Sequence, residues 1–187
     1  MSQDRHIRAA IESCARAIMG LQAQIGPIEQ AGMALAACFA RGNKVLTAGN
    51  GGSAAEALHL AEELIGRFKA DRPALAALSL AADPTALTCI GNDFGYDRIF
   101  RRQVEGLGRE GDVLVLFSTS GKSRNLLEAA DAARERKMIV VALLGGEGGP
   151  LKARADLAIC VAADAAARVQ EAHQLIVHLW LEMIEAG

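Results

Sequence analysis

The sequence predicts an α/β fold in which a parallel sheet of five strands carries helices on both faces. Hydrophobic residues make up 51% of the chain and aromatic residues only 4%, so a core of Ala, Leu, Ile and Val must pack helices closely on the sheet. Short apolar segments alternate with helical patterns, and this βα order requires right-handed crossovers between parallel strands. The 187 residues suffice for one domain with a sizeable core, and we predict a single domain over residues 1–187.

Two amphipathic helices precede the sheet. Apolar residues from Ile7 to Ile25 are spaced alternately by four and three, a heptad-like pattern that favours a partner helix. The second helix begins at Pro27, which suits a first turn, and ends before Gly42. We predict that residues 1–42 mediate oligomerisation, with packing on their own domain as the alternative. Residues 43–187 would then form the sheet core and the closing helix.

Five apolar segments predict the strands, and polar or glycine-rich segments separate them. The clearest strand follows Asp112, where five apolar residues stand in succession. Asp83 is a suitable N-cap and Pro84 suits the first helical position, so a helix begins there. The predicted strands cover residues 44–48, 76–80, 112–117, 138–144 and 157–161. In this region we predict one helix that ends near residue 65, a second that begins at residue 84, and three more over residues 97–107, 124–136 and 165–185. We also predict a loop at residues 91–96 and a turn at residues 145–150.

A glycine-rich turn, residues 49–53, joins the first strand to its helix. Such a turn leaves backbone N–H groups unpaired at a helix N-terminus, where the helix dipole also favours an anion such as phosphate. Farther along this helix, His59 and Glu63 share one face, so they can present a base or a metal ion beside the turn. The turn also fits a relaxed dinucleotide fingerprint, but the acidic residue at the required offset, Asp71, precedes the second strand, which makes a nucleotide the weaker interpretation.

A second polar loop, residues 118–123, follows the third strand directly. Its serine and threonine hydroxyls and its exposed N–H groups can together surround a phosphate, at the strand ends where parallel sheets bind ligands. Helix capping is the alternative function of these serines. The loop ends like a Walker A motif, but Leu116 stands where that motif needs glycine.

The closing helix carries three residues on one stripe, Gln170, Gln174 and His178, whereas His173 points elsewhere. With His59 and Glu63 of the earlier helix, His178 would offer the nitrogen and oxygen ligands that catalytic zinc takes from three side chains. The alternative is that this histidine is an ordinary core residue whose ring nitrogens are already satisfied.

Charge and cysteine content exclude several other classes. A net charge of −2 and a pI near 6.1 provide no basic surface for nucleic acid or for a membrane. The four cysteines lack C-x-x-C spacing, which excludes a zinc ribbon and a dithiol redox motif and favours reduced thiols. The chain has neither a signal-peptide core nor a run of ~20 apolar residues, so we expect a cytoplasmic protein.

Six short motifs follow one another along the chain, and His178 comes after them: GNGGS at residues 49–53, LHLAEEL at 58–64, GRF at 66–68, GNDFG at 91–95, STSGKS at 118–123 and RVQEAH at 168–173. In this combination they resemble the phosphoheptose isomerase family of the sugar isomerase (SIS) superfamily. The resemblance spans nearly the whole chain. It implies a three-layer α/β sandwich with a five-stranded parallel sheet of flavodoxin-like topology, preceded by an N-terminal helical hairpin, and a homotetramer.

The resemblance also implies an activity. Members of this family convert sedoheptulose 7-phosphate to D-glycero-D-manno-heptose 7-phosphate for bacterial heptose and lipopolysaccharide synthesis. Moving a carbonyl between two carbons requires removal of the proton beside it and stabilisation of the resulting enediolate. Glu63 can act as the base and His178 as the acid, while zinc can polarise the carbonyl oxygen. Whether these two side chains act directly or through the metal stays open at this stage.

The same resemblance assigns roles residue by residue. The phosphate would be held by Ser118, Thr119, Ser120 and Ser123. The sugar would be contacted by Asn50, Gly51, Gly52, Ser53, Asn92, Asp93 and Gln170. One Zn²⁺ per subunit would be bound by His59, Glu63, Gln170 and His178.

One position departs from the family. The family often has an acidic residue three positions before Gln170, where this chain has Ala167, so ring opening or sugar preference could differ. A related class of the superfamily binds the bacterial replication initiator without being an isomerase, and it is the alternative function. That class tends to lack the full His and Glu set, so Glu63 and His178 favour the enzyme.

Overall fold

The computed structural model describes residues 3–186 and contains a single sheet of five parallel strands. The strands are β1 (Val45–Gly49), β2 (Ala77–Ser79), β3 (Val113–Ser118), β4 (Ile139–Gly145) and β5 (Leu157–Val161). Their order in the sheet is β2-β1-β3-β4-β5, which is the flavodoxin-like order, and every neighbouring pair is parallel. The predicted fold class is confirmed. Residues 1, 2 and 187 of the predicted domain lie outside the described part.

Helices cover both faces of this sheet. Helices α2 and α8 pack on one face together with α3, and α5 and α6 pack on the other. The eight helices of the described chain are α1 (Gln3–Gly20), α2 (Ile25–Ala40), α3 (Gly52–Ile65), α4 (Pro84–Phe94), α5 (Arg101–Leu107), α6 (Arg124–Glu135), α7 (Gly149–Lys152) and α8 (Ala166–Ala186). Within residues 3–186, none of them combines the length and apolar character that crossing a membrane requires.

The central strand β3 shows why the fold has three layers. Its side chains point alternately to opposite faces, so Val115 and Phe117 join the core under α3 and α8, and Leu114 and Leu116 join the core under α5 and α6. All four are completely buried. A strand buried on both faces must be apolar throughout, which explains the uninterrupted apolar run seen in the sequence.

The predicted loop at residues 91–96 is wrong for its first four residues. Helix α4 continues through them to Phe94 and is ended by Gly95, whose φ of 86° lies in the left-handed region. The helix starts as predicted, since Asp83 accepts hydrogen bonds from the backbone N–H groups of Thr85 and Ala86 at 2.8 and 3.1 Å. Gly91 costs the helix only about 1 kcal/mol, too little to end it. The predicted turn at residues 145–150 likewise contains the start of a short helix, α7.

The N-terminal helices show the second of the two arrangements that the sequence left open, which is packing on their own domain. Helices α1 and α2 pack on α8 of their own domain, where the buried Trp180 donates its indole N–H to the carbonyl of Ile28 at 2.9 Å. The outer end of the heptad-like pattern is nevertheless exposed, at 56% for Ile7 and 64% for Ile11. The domain's own helices therefore leave these apolar side chains uncovered.

Asp112 anchors the amino-terminal ends of β1 and β3. Its buried carboxylate accepts hydrogen bonds from the backbone N–H groups of Lys44 and Arg109 at 3.0 and 2.9 Å, from the Asn43 amide at 3.2 Å, and from the Lys44 ammonium. Burial by itself would raise the pKa of Asp112, but the hydrogen bonds from Lys44, Arg109 and Asn43 outweigh it and lower this pKa below its ordinary value. The ionised form therefore stabilises the fold.

The Asp112→Asn variant should lose about 1–3 kcal/mol of unfolding free energy at pH 7, because the Lys44 ammonium loses its buried partner. A carboxyl group whose pKa is lowered by folding stabilises the folded state fully at pH values above its unfolded pKa of about 3.9. This stabilisation is lost as the pH falls through the folded pKa. The difference between wild type and variant should thus shrink below about pH 4. Urea unfolding at pH 7 and pH 3.5 measures it, with the exposed Asp4→Asn as the matched control. Equal stability of Asp112→Asn and wild type at pH 7 would contradict this role.

Candidate active site

The two polar loops meet at one place in the fold. Strands β1 and β3 are parallel neighbours, and Gly49 pairs with Phe117 at their carboxyl ends. The glycine turn that follows β1 and the serine loop that follows β3 therefore lie side by side. The strand order reverses at this point, and such a switch point is where open parallel sheets bind ligands.

A polar cavity of about 110 Å³ lies between these loops. The side of the glycine turn contributes Asn50 and Ser53. The serine loop lines the rest, with Phe117, Ser118, Thr119, Ser120 and Ser123. We call this space the serine cavity. Hydroxyl and amide groups dominate its wall, which suits a ligand with several oxygen atoms.

Hydrogen bonds from its own backbone to two serine hydroxyls shape the serine loop. Ser118 accepts a hydrogen bond from the backbone N–H of Gly121 at 3.0 Å, and Ser120 accepts one from that of Lys122 at 3.2 Å. Ser123 occupies the N-cap position of α6, yet its side chain makes no capping hydrogen bond. Helix capping therefore does not account for Ser123, and its hydroxyl is free to serve a ligand.

Two residues that sequence reasoning missed, Asn125 and Tyr96, contact the edge of this cavity. The amides of Asn50 and Asn125 exchange hydrogen bonds at 3.0 and 2.8 Å, and the Tyr96 hydroxyl donates to the same Asn50 oxygen at 2.9 Å. Asn125 follows the charged Arg124 at the start of α6, and nothing in the sequence distinguishes it from an ordinary polar residue there. Nothing in the sequence pattern relates Tyr96 to Asn50, since 46 residues separate them.

The metal set predicted from the two helices is brought together in large part. His59 Nε2 lies 3.5 Å from Glu63 Oε1, and the rings of His59 and His178 have centroids 5.5 Å apart. The His178 ring also stacks on Phe68 at 5.3 Å. Glu62 is a further candidate, because it, His59 and Glu63 have ligand atoms within 4.8 Å of one another. Helices α3 and α8 thus each contribute one part of a cluster.

Gln170 and the GNDFG motif occupy different surroundings. The Gln170 amide lies against Gly52 at the start of α3, so it faces the glycine turn. The residue that bonds to His178 is instead Gln174, one turn farther along α8, at 3.1 Å. Asn92 donates to Asp93 at 2.8 Å at the exposed end of α4, and neither residue is among those that line the serine cavity.

This donor set fits a zinc ion. His59 Nε2 is buried and has no hydrogen-bond partner within the described chain, which is an unfavourable state for a ring nitrogen unless an ion or water binds it. Two imidazoles and a carboxylate are ligands that zinc prefers. The other histidine of α8, His173, is a core residue as its position on the helix predicted, since it is fully buried with Nδ1 3.7 Å from Glu56.

Gly52→Ala should separate function from stability. A methyl group on Gly52 would occupy the space of the Gln170 amide. Because that amide ends a flexible side chain, it moves away while the helix keeps its start, so unfolding free energy should change by less than about 1 kcal/mol. Displacing a ligand-binding group from its place should lower kcat/KM by about 10–100-fold. Kinetics and thermal unfolding measure both effects. Gly106→Ala, where a Cβ meets no atom within 4 Å, is the matched control: it should leave kcat/KM unchanged and, inside α5, raise the unfolding free energy by up to about 1 kcal/mol.

Comparison with known proteins places these features in context. The SIS domain family model matches residues 7–145 of the chain. A phosphoheptose isomerase of Laribacter hongkongensis is 46% identical over 178 residues, which cover 94% of this chain and 91% of that protein. The solved structure of a phosphoheptose isomerase from Neisseria gonorrhoeae has 40% identity and a TM-score of 0.94, and one from Francisella tularensis has 38% and 0.96. Both cover all of this chain, and so both polar loops and both cluster-bearing helices.

Proposed function

Because this chain belongs to the phosphoheptose isomerase family of SIS domain proteins, we propose that it converts sedoheptulose 7-phosphate to D-glycero-D-manno-heptose 7-phosphate. It is an aldose–ketose isomerase. The observation that carries the proposal is the 46% identity to a phosphoheptose isomerase over 94% of the chain. The hydroxyl-lined serine cavity and the His and Glu cluster agree with it. The matched relatives give no support to a non-catalytic protein that binds the replication initiator.

The chemistry calls for a base and an acid close to the sugar chain. In our proposal the Glu63 carboxylate takes the proton from the carbon beside the carbonyl, which leaves an enediolate. His178 donates a proton to the former carbonyl oxygen and takes one back from the neighbouring hydroxyl, which becomes the new carbonyl, while Glu63 returns its proton to the carbon that carried the original carbonyl. The 3.5 Å separation of His59 from Glu63 supports this assignment, because the ring of His59 lies in turn 5.5 Å from that of His178, which would be the acid.

The phosphate and the sugar have separate contacts in this proposal. Ser118, Thr119, Ser120 and Ser123 hold the phosphate through hydroxyl and N–H groups, and the unused N-cap hydroxyl of Ser123 supports that role. The sugar is contacted by Asn50, Gly51, Gly52, Ser53, Asn92, Asp93 and Gln170.

Zinc is part of the proposal as a resident ion, one per subunit. His59, Glu63, Gln170 and His178 would hold it, and the buried, unpartnered Nε2 of His59 supports such a site. When bound, a zinc ion supplies Lewis-acid polarisation of a carbonyl oxygen. Glu63 belongs to both the ligand set and the proton transfer, and the experiments on it below decide how much it contributes to each.

A turnover assay tests the function directly. Purified protein, incubated with Zn²⁺, should interconvert sedoheptulose 7-phosphate and the heptose 7-phosphate, and should act much more slowly on pentose and hexose phosphates. Comparing these sugars also tests whether Ala167 changes sugar preference. No turnover of sedoheptulose 7-phosphate by folded, zinc-loaded protein would refute the proposal.

We also propose a homotetramer, a cytoplasmic location and a role in lipopolysaccharide heptose synthesis. An apolar groove of about 600 Å³ between α1, α2 and α8 supports the assembly, since it is bordered by Ile25 and Met19, which are 62% and 59% exposed. Ile25→Asp should therefore dissociate the assembly, which light scattering measures. Leu107→Asp, on the opposite layer, is the matched control and should leave the mass unchanged. A tetramer that survives Ile25→Asp would show that this groove is not the interface.

A further inference from the structure

Three polar side chains form one network at the edge of the serine cavity. Asn50, in the glycine turn, receives hydrogen bonds on its side-chain oxygen from Asn125 at 2.8 Å and from the Tyr96 hydroxyl at 2.9 Å. Its side-chain nitrogen donates to the Asn125 oxygen at 3.0 Å. The three residues come from separate segments, so tertiary structure alone assembles the network.

The network leaves one N–H of the Asn50 side chain without a hydrogen-bond partner among the three residues. A carboxamide oxygen has two lone pairs, and both are used, by Asn125 and Tyr96. A carboxamide nitrogen has two hydrogens, and one is used by Asn125. Since Asn50 lines the serine cavity, the remaining N–H is the group that it can offer to a ligand there.

We propose that Asn125 and Tyr96 are positioning residues that orient the Asn50 amide so that it donates a hydrogen bond to an oxygen of the bound sugar phosphate. The proposal rests on the proposed function for the identity of the ligand. An amide free to rotate would present its oxygen to the electron-rich oxygens of the ligand about as often as its N–H, so fixing the rotation prevents a repulsive contact.

The two positioning residues differ in how they are held. Asn125 is only 2% exposed and is the second residue of α6, directly after the serine loop, so packing fixes its amide. Its two bonds to Asn50 also tie the serine loop to the glycine turn. Tyr96 is 64% exposed and follows Gly95 at the end of α4, so its hydroxyl contributes a hydrogen bond with little packing.

A double-mutant cycle in ligand binding tests the proposal. Calorimetry would measure the Kd of sedoheptulose 7-phosphate for wild type, Tyr96→Phe, Asn125→Ala and Asn50→Ala, and for each of the first two changes combined with Asn50→Ala. Loss of one hydrogen bond should weaken binding about threefold to tenfold in Tyr96→Phe, and loss of two should weaken it more in Asn125→Ala. In the Asn50→Ala background both changes should have less than about a twofold effect, because the group that they position is absent.

The Asn125→Asp variant tests whether Asn50 acts as a hydrogen-bond donor to the ligand. Its carboxylate still accepts from the Asn50 N–H, but its second oxygen faces and repels the Asn50 oxygen in either orientation of that amide, so the amide loses its fixed rotation. Binding should be weaker than in Asn125→Ala, although Asp is nearly the same size as Asn. Equal or tighter binding in Asn125→Asp would contradict the donor role of Asn50.

The outcomes distinguish this proposal from a structural role and from failure of the proposed function. Effects of Tyr96→Phe and Asn125→Ala that persist undiminished in the Asn50→Ala background would refute positioning through Asn50. Tyr96→Phe keeps the test decisive if Asn125 variants do not fold, because Tyr96 is largely exposed. Calorimetry detects binding whether or not the ligand is converted, so an inactive protein that still shows the non-additive cycle would refute the isomerase function and support the network.

Discussion

Glu63→Gln should lower kcat by about 10²–10⁴-fold, the range for loss of a positioned general base. The amide keeps the size of the carboxylate and accepts hydrogen bonds, but it cannot take a proton at neutral pH. Binding of the sugar phosphate should change much less, because in our proposal the phosphate is held by the serine loop, and Glu63 is not among the residues that line the serine cavity. Single-turnover kinetics together with calorimetric Kd values measure the two effects separately.

The neighbouring carboxylates provide the comparison for Glu63→Gln. Glu110→Gln removes an exposed partner of Lys137 far from the cluster, and as the matched control it should leave kcat unchanged. Glu62 lies close enough to His59 to compete for the catalytic role. If Glu62→Gln abolished turnover while Glu63→Gln left it intact, the base would be Glu62, and the sequence-based assignment of Glu63 would be wrong.

His59→Ala should remove bound zinc. The variant deletes the imidazole whose Nε2 is buried without a partner and 3.5 Å from Glu63. Affinity should fall by more than the about 10–100-fold that loss of an outer partner of a ligand typically costs. Elemental analysis of protein dialysed against trace zinc measures the ion per subunit, independently of activity.

The exposed His6→Ala is the matched control for metal binding and should retain the wild-type amount. Treatment of the wild type with a chelator, followed by added Zn²⁺, should abolish and then restore turnover if the ion belongs to the active site. Full zinc occupancy in His59→Ala would place the ion elsewhere.

The fold followed from patterns that are local in the sequence. Each strand is a short apolar run, and each helix shows the helical period, so the five strands and their order along the chain were predictable. The end of α4 could not be predicted in this way. The sequence pattern predicts a break at Gly91, but one glycine destabilises a helix by less than its N-cap and packing stabilise it. Where a helix ends depends on the sum of such small terms.

The site was predictable where its residues stand in motifs. The serine loop and the glycine turn were both expected at the carboxyl ends of strands, and they lie there. The roles assigned to all the site residues, Gln170, Asn92 and Asp93 among them, stay predictions. Asn125 and Tyr96 were missed, because an isolated polar residue has no periodicity or spacing that distinguishes it from an ordinary surface or cap residue.

The sequence by itself determined the fold class, the two polar loops and the spacing of His59 and Glu63 on one helix face, since each depends on neighbours within a few residues. The tertiary structure was needed to show that β1 and β3 are adjacent and that α3 and α8 bring the ring centroids of His59 and His178 to 5.5 Å. It also showed that Asn125 and Tyr96 meet at Asn50. Such contacts join residues far apart in the chain. They depend on how the layers pack, and side-chain volumes and helix crossing angles together determine that packing.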